Sequence, residues 1–346
     1  MKLLRILLPG LAAVAAACSD STGSGPDAGG SGYTPAALAN VPGPYSSAVA
    51  VNAAGRIAGS YQVAPNVSRA YRWTAGTVEP LAGPNGEPFS SFAVATNDAG
   101  WVVGGYQTSA GPGHAAVWRP GEAVQDLGVL DAGGGSAAYG VNASGVVVGT
   151  SETTSGGRAF RWTAAGGMQA LPSCPSATYA AAYDVNTSGV AVGSCTTGPG
   201  AGVAALWSPG AQVQVLPTIV GALTTVARAV NDAGLVVGSV QDAGGERPAV
   251  WRLNGAGAYE IKLLVLPAGS SGATSGIAFS VNADGAIVGF KGSLALYWSG
   301  PDAEPRVLAP LQGGENARAI SINDAGVIVG DSRPSPAIDR AVIWKP

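Results

Sequence analysis

The chain has little of what most metal and acid–base chemistry uses. Its 346 residues include one histidine, His114, and three cysteines, too few for a zinc centre of ordinary composition. Charge is scarce as well. Asp, Glu, Lys and Arg make up 11% of the chain, 18 bases stand against 21 acids, and no Lys/Arg run occurs. A nucleic-acid partner needs a basic stripe to neutralise phosphates, so that partner class is excluded. A disordered tail is excluded too, because it would carry far more charge and less apolar surface than a chain that is 47% hydrophobic. The apolar run Ile6–Ala17 has twelve residues, broken at Pro9-Gly10, and a bilayer span needs roughly 20. No motif calls for a cofactor or a metal.

What the sequence does hold begins with an address. Met1-Lys2-Leu3-Leu4-Arg5 is a short basic start, and with the apolar run behind it residues 1–17 read as a secretory signal. The run ends Ala15-Ala16-Ala17-Cys18, which resembles a bacterial lipoprotein signal whose cysteine is acylated after cleavage. The alternative is ordinary cleavage after Ala-x-Ala, leaving Cys18 near the new N-terminus. Without residues 1–17, which hold Lys2 and Arg5, 16 bases face 21 acids, a net charge of −5. Residues 18–32 are Ser/Gly/Asp-rich and aperiodic, a tether of roughly 20 Å root-mean-square span. The expected location is the outer membrane or cell surface as a lipoprotein, otherwise the periplasm or the exterior.

Residues 33–346 are self-similar. Asn-x-x-Gly-x-x-x-Gly begins at Asn52, Asn97, Asn142, Asn186, Asn231, Asn282 and Asn323, at spacings of 45, 45, 44, 45, 51 and 41. A tryptophan follows each copy: Trp73, Trp118, Trp162, Trp207, Trp251, Trp298 and Trp344. Each repeat reads as four short strands. The first ends at the asparagine, the second follows a turn, the third carries the tryptophan, and the fourth is a brief run such as Val78-Glu79-Pro80-Leu81. The Asn-x-x-Gly link is the chemistry of a type I turn closed by a glycine bulge, so alanine at Gly145 should be strained.

Units of this kind, seven times repeated, predict an all-β fold, a seven-bladed β-propeller of four-stranded antiparallel blades. The last repeat stops at Pro346 without a fourth strand, and Thr34-Pro35-Ala36-Ala37-Leu38 precedes the first. That segment should pair with Asp339–Lys345 and close the ring. Four residues before each asparagine stands an alanine: Ala48, Ala93, Ala138, Ala182, Ala227, Ala278 and Ala319. Two before it stand Ala50, Ala95, Gly140, Asp184, Ala229, Ser280 and Ser321. Period-2 alternation puts both sets on one small face of the innermost strand, where blades converge. The tryptophans fill the wider gap outside.

These repeats resemble the bacterial extracellular repeat named for its His-Ala-Phe tripeptide, the HAF family. The likeness rests on Ala138-Tyr139-Gly140-Val141-Asn142 through Gly149, on His114-Ala115-Ala116-Val117-Trp118 and Arg158-Ala159-Phe160-Arg161-Trp162, and on Asp126-Leu127-Gly128-Val129-Leu130. It covers residues 34–346 and departs in most copies by lacking a Leu-Gly-Gly ending. The resemblance implies export and often a cell-surface place, with no catalytic residues to carry over.

Candidate chemistry lies where repeats differ. Four residues before the tryptophans stand Arg69, His114, Arg158, Val203, Arg247, Leu294 and Arg340. The five that are basic or imidazole would form either a mid-radius ring for an acidic ligand, or pairs with their own tryptophans and loop acids. Near the axis Asp184 and Arg228 interrupt neutral positions, either as an ion pair or as a polar ligand socket. Cys174 and Cys195 flank one hairpin and should form a disulfide in an oxidising compartment. Asp98, Asp232, Asp284 and Asp324 sit in hairpin turns, where Asp is favoured for backbone reasons.

The leading expectation is a monomeric, exported, lipid-anchored binding or scaffold propeller. Its partner would be an envelope glycan, another anionic ligand or a protein. Its site would be a face of variable loops at Val63–Ser68, Ser109–Gly113, Thr153–Gly157, Thr197–Gly202 and Asp242–Glu246. The alternatives are a polysaccharide hydrolase or lyase using acids such as Glu87 or Asp131, and a purely structural surface component.

Overall fold

A computed structural model of the chain describes residues 32–84, 90–107, 111–270, 275–335 and 338–346. Strands dominate, and no α-helix occurs among the described residues. Each repeat is an antiparallel meander. In repeat 1 the strands are Ser46–Val51, Ile57–Ala64, Val67–Thr74 and Thr77–Leu81, lettered a to d from the axis outward. The arrangement is propeller-like, built of four-stranded blades. Four sheets stand alone with four strands each, whereas repeats 3, 4 and 5 run together as one twelve-stranded sheet. This differs from seven separate sheets for a local reason. Strand c of one repeat touches strand a of the next through single parallel pairs, Gly157↔Tyr179 and Gly202↔Thr224. A Cβ at Gly157 would lie 2.2 Å from the Tyr179 ring, so the glycine permits the approach.

The asparagine motif is explained atom by atom. In every repeat the Asn N–H donates to the carbonyl four residues on, and the Asn carbonyl accepts from the N–H of the turn glycine. Those glycines have φ between 72° and 83°. Each Asn Oδ1 also accepts the N–H four residues on. Each Nδ2 donates to the carbonyl of the next repeat's asparagine, at 2.9–3.3 Å. Asn323 donates to Asn52, so the seven buried amides form a closed cycle. A buried amide with both ends satisfied costs little to bury, and here it links neighbours as well.

Beside the turn every strand a carries a bulge. Ala48 pairs with Gly59 and Ala50 with Ala58, leaving Val49 out of register, and the same shift recurs in all seven repeats. The second motif glycine faces it. A Cβ at Gly59, Gly104, Gly149, Gly193, Gly238, Gly289 or Gly330 would lie 1.9–2.1 Å from a strand-a carbonyl oxygen. The bulge corrects the single small face read from the period. Ala48 packs toward repeat 7, against Val329 and Ala341, whereas Ala50 packs toward repeat 2, against Ala93 and Val102. One extra residue flips the pleat, and both faces are small because both are crowded.

Strand Thr34–Ala37 supplies strand d of repeat 7, with Thr34↔Lys345, Pro35↔Trp344, Ala36↔Ile343 and Ala37↔Val342. The tryptophans confirm its place. Trp118, Trp207, Trp251, Trp298 and Trp344 each donate Nε1–H to a carbonyl just past strand d of the preceding repeat. Trp73 of repeat 1 donates to Ala39, just past Thr34–Ala37.

The supposed variable loops are largely paired. Ala64↔Val67, Thr153↔Gly156, Gly198↔Ala201 and Asp242↔Gly245 leave two residues per connection. Pro65-Asn66, Thr154-Ser155, Pro199-Gly200 and Ala243-Gly244 are hairpin-turn dipeptides, so pairing continues to the tip. Residues 109 and 110 of the Ser109–Gly113 loop lie outside the described residues, as do Cys18 and Glu87.

Candidate ligand-binding site

The five basic positions of strand c do not form a joined ring. His114 Nδ1 lies 2.8 Å from Asp126 Oδ2, and the Tyr106 hydroxyl donates to the same oxygen at 2.8 Å. Gly128 N–H donates to Asp126 Oδ1. Burial opposes ionisation of Asp126, but His114, the Gly128 amide and Tyr106 together hold its carboxyl below the usual range. Among the repeats only this one has an acid at that point of strand d, because its counterparts in repeats 1 and 3 are Pro80 and Ala170. Arg247 pairs with Asp242. Arg340 donates to the Gly43 carbonyl at 2.7 Å, and Arg158 to the Leu171 carbonyl at 3.5 Å. Arg69, Arg158 and Arg247 all bury Nε without a hydrogen-bond partner among the described residues. No hydrogen bond or ion pair joins one of the five to the next among the described residues.

At the axis the bulged residues of successive repeats meet. Tyr139 and Tyr183 pack with Ala137 and Ala181, flanked by Phe92, Val94, Tyr179 and Val226. The Tyr139 and Tyr183 rings lie 5.5 Å apart, and the Arg228 guanidinium sits 4.9 Å over Tyr183. Tyr179 hydrogen-bonds with Tyr139 and Thr150, and burial pushes its hydroxyl up to about 12. Burial raises Tyr139 well above the ordinary phenol value as well. These phenols stay neutral donors near pH 7, and beside them the guanidinium is the fixed charge. The sequence reading missed the tyrosines. Their signal is the position three before each asparagine, where Val49, Val94 and Ile320 give way to Tyr139, Tyr183, Arg228 and Phe279.

Asp184 and Arg228 form no ion pair. Asp184 Oδ2 accepts from Val230 N–H at 2.9 Å and Oδ1 from Val185 N–H at 2.8 Å. Ser280 and Ser321, at the same repeat position, accept from Ile322 and Val51 N–H of the following repeat. These amides sit on strand a, the innermost strand, beside the asparagines whose own N–H bonds inward to the turn, and position 184 faces the next repeat to satisfy one of them. Burial raises the Asp184 carboxyl to about 6, against those two backbone bonds, with Asp232 adding to the rise.

Cys174 and Cys195 form the expected disulfide, consistent with an exported chain. No helix among the described residues is long and apolar enough to cross a membrane. Turn acids do bridge repeats: Asp98, Asp232 and Asp324 accept from Ala53, Thr187 and Ala283 N–H. Asp131 caps Thr154 through its N–H and hydroxyl.

No protein-family model and no curated protein sequence matches the chain. In shape it is similar to virginiamycin B lyase from Staphylococcus aureus, solved as an inactive variant with quinupristin. The TM-score is 0.61 at 13% identity, covering 91% of this chain and 99% of that one. Puromycin hydrolase has a TM-score of 0.57 at 14% identity, over 85% of this chain and 51% of that one. A prolyl endopeptidase has 0.55 at 14% identity, over 84% and 48%. At such identities the likeness shows the propeller fold alone.

Proposed function

We propose that the chain is a seven-bladed HAF-type propeller, exported, anchored through an acylated Cys18, and acting as a non-catalytic binding module for an anionic envelope glycan. The blade count takes the twelve-stranded sheet as three blades, which the closed cycle of seven asparagines supports. The observation that carries the binding role is the axial cluster of Arg228 with Tyr139, Tyr179 and Tyr183. The recurrent Asn, Gly and Trp are committed to the frame, and here the frame's inner position departs from its aliphatic pattern. Arginine and neutral phenols suit a carboxylate or sulfate flanked by a sugar face. Thr34 lies at the turn end of the blade, opposite Lys345, so a tether leaves from the turn side. Tyr179, at the other end of its strand, then faces away from the anchoring surface.

A glycan array with the chain lacking residues 1–17 tests this reading. Anionic glycans are retained over neutral ones, Arg228→Gln weakens retention at least about tenfold, and no cleavage product forms. Equal retention of neutral glycans, or product formation, contradicts it.

A further inference from the structure

A concavity lies on the turn side, between repeats 3 and 4, with a volume of about 360 Å³. Its polar side chains are Arg161, Gln169, Ser208 and Gln212, and its apolar walls include Trp207, Pro172 and Pro209. The cause is one side chain. At the preceding boundary Trp101, four residues after Asn97, covers the turn of the next repeat. A Cβ at Gly145 would meet its ring at 2.7 Å, and Arg119 stacks on it at 4.2 Å. The corresponding residue of repeat 3 is Val146, which is too short to reach across. The nearest atoms over Gly189 are instead the Arg161 guanidinium nitrogens, at 3.1–3.2 Å, and Pro209.

Arg161 makes one hydrogen bond, from Nη1 to the Gly189 carbonyl at 3.3 Å, and pairs with no acid among the described residues. Its counterpart Arg72 is used by Glu79 and by the Trp118 carbonyl. Arg161 therefore keeps donors for a ligand, and a guanidinium fork matches a carboxylate. The two carboxamides both donate and accept, as hydroxyl groups require. Proline and indole surfaces suit the C–H faces of a sugar ring, and the volume falls at the small end of the ~300–1,000 Å³ typical of ligand pockets.

We propose that this groove binds an acidic sugar residue, a hexuronate, through Arg161. The site shares no residue with the axial cluster.

Trigalacturonate titrated into the chain lacking residues 1–17, with its methyl ester and a short peptide bearing a free C-terminal carboxylate as controls, tests it. The acid binds, and both the ester and Arg161→Gln weaken binding at least about tenfold. Val146→Trp abolishes it by filling the groove as Trp101 does. Hydrogen exchange in the bound state shows new protection at residues 187–190 and 208–212. Absent binding, protection only at residues 179–184 and 226–230, wild-type affinity in Arg161→Gln, or preference for the peptide overturns the proposal. If Val146→Trp does not fold, the Arg161 and exchange results still decide, and neither depends on the axial site.

Discussion

The two glycines of the repeat motif answer to different physics, and substitution should separate them. Gly55 needs only its positive φ of 72°, and a Cβ there would meet nothing within 4 Å, so Gly55→Ala should cost about 1–2 kcal/mol. Gly193 faces the bulge, where a Cβ would lie 1.9 Å from the Ala181 carbonyl oxygen. Gly193→Ala should cost about 3 kcal/mol or more, since backbone on both sides must move. Denaturant unfolding of the two variants checks the order, and equal costs would contradict it. Asp184 supplies a pH test. Its folded pKa of about 6 lies above the ~3.9 of an unfolded chain, so ionisation is disfavoured in the fold. The stability linked to it is fully present below about pH 4 and is lost as pH rises through 6. Asp184→Ser keeps an acceptor, as Ser280 and Ser321 do, without the charge. The stability of wild type minus variant should fall by about 2–3 kcal/mol between pH 4 and pH 7.5. A difference that does not change with pH would contradict this.

At the scale of elements, the disulfide closes a sequence separation of 21 residues, joining the connection before strand a of repeat 4 to strand b, which already pairs with strand a. Replacing both Cys174 and Cys195 by alanine should lower stability by ~3 kcal/mol without opening the sheet, as read by unfolding and circular dichroism. The turn, the tryptophan strand, the closing strand and this bridge were legible in the sequence, because each rests on local chemistry or on an apolar residue at a fixed interval. The bulge was not, since it shifts the pleat with no marker beyond the glycine facing it. That omission merged Ala48 and Ala50 onto one face and turned Asp184 toward Arg228 rather than toward backbone amides. The hairpin tips were misread because Pro, Asn, Gly and Ser end a strand and tighten a turn equally well. One finer agreement between repeats shows in retrospect. Ser46, Ser91, Ser136 and Thr225 accept the N–H of a strand-c residue in the preceding repeat. Where that residue is Pro248, which has no N–H, the matching position is Gly276, which has no hydroxyl.

For the molecule as a whole, what matters is that the ring is locked rather than merely stacked. Asn323 bonds to Asn52 across 271 positions, and the strand Thr34–Ala37 pairs with the end of the chain. This covers strand c of the last repeat and leaves the four-residue strand Thr34–Ala37 as its outer edge, the short kind of edge that resists addition of another strand. Closure also places Thr34 at the turn end of the ring, whereas Tyr179 begins strand a of repeat 4 at the other end. The most direct measurement pairs cysteines at Ala36 and Ile343, which face each other in the closing sheet, in a Cys18→Ser background. Under mild oxidation the account predicts a quantitative intramolecular cross-link with unchanged circular dichroism. Two thiols that stay free, or that link only between molecules, would contradict it.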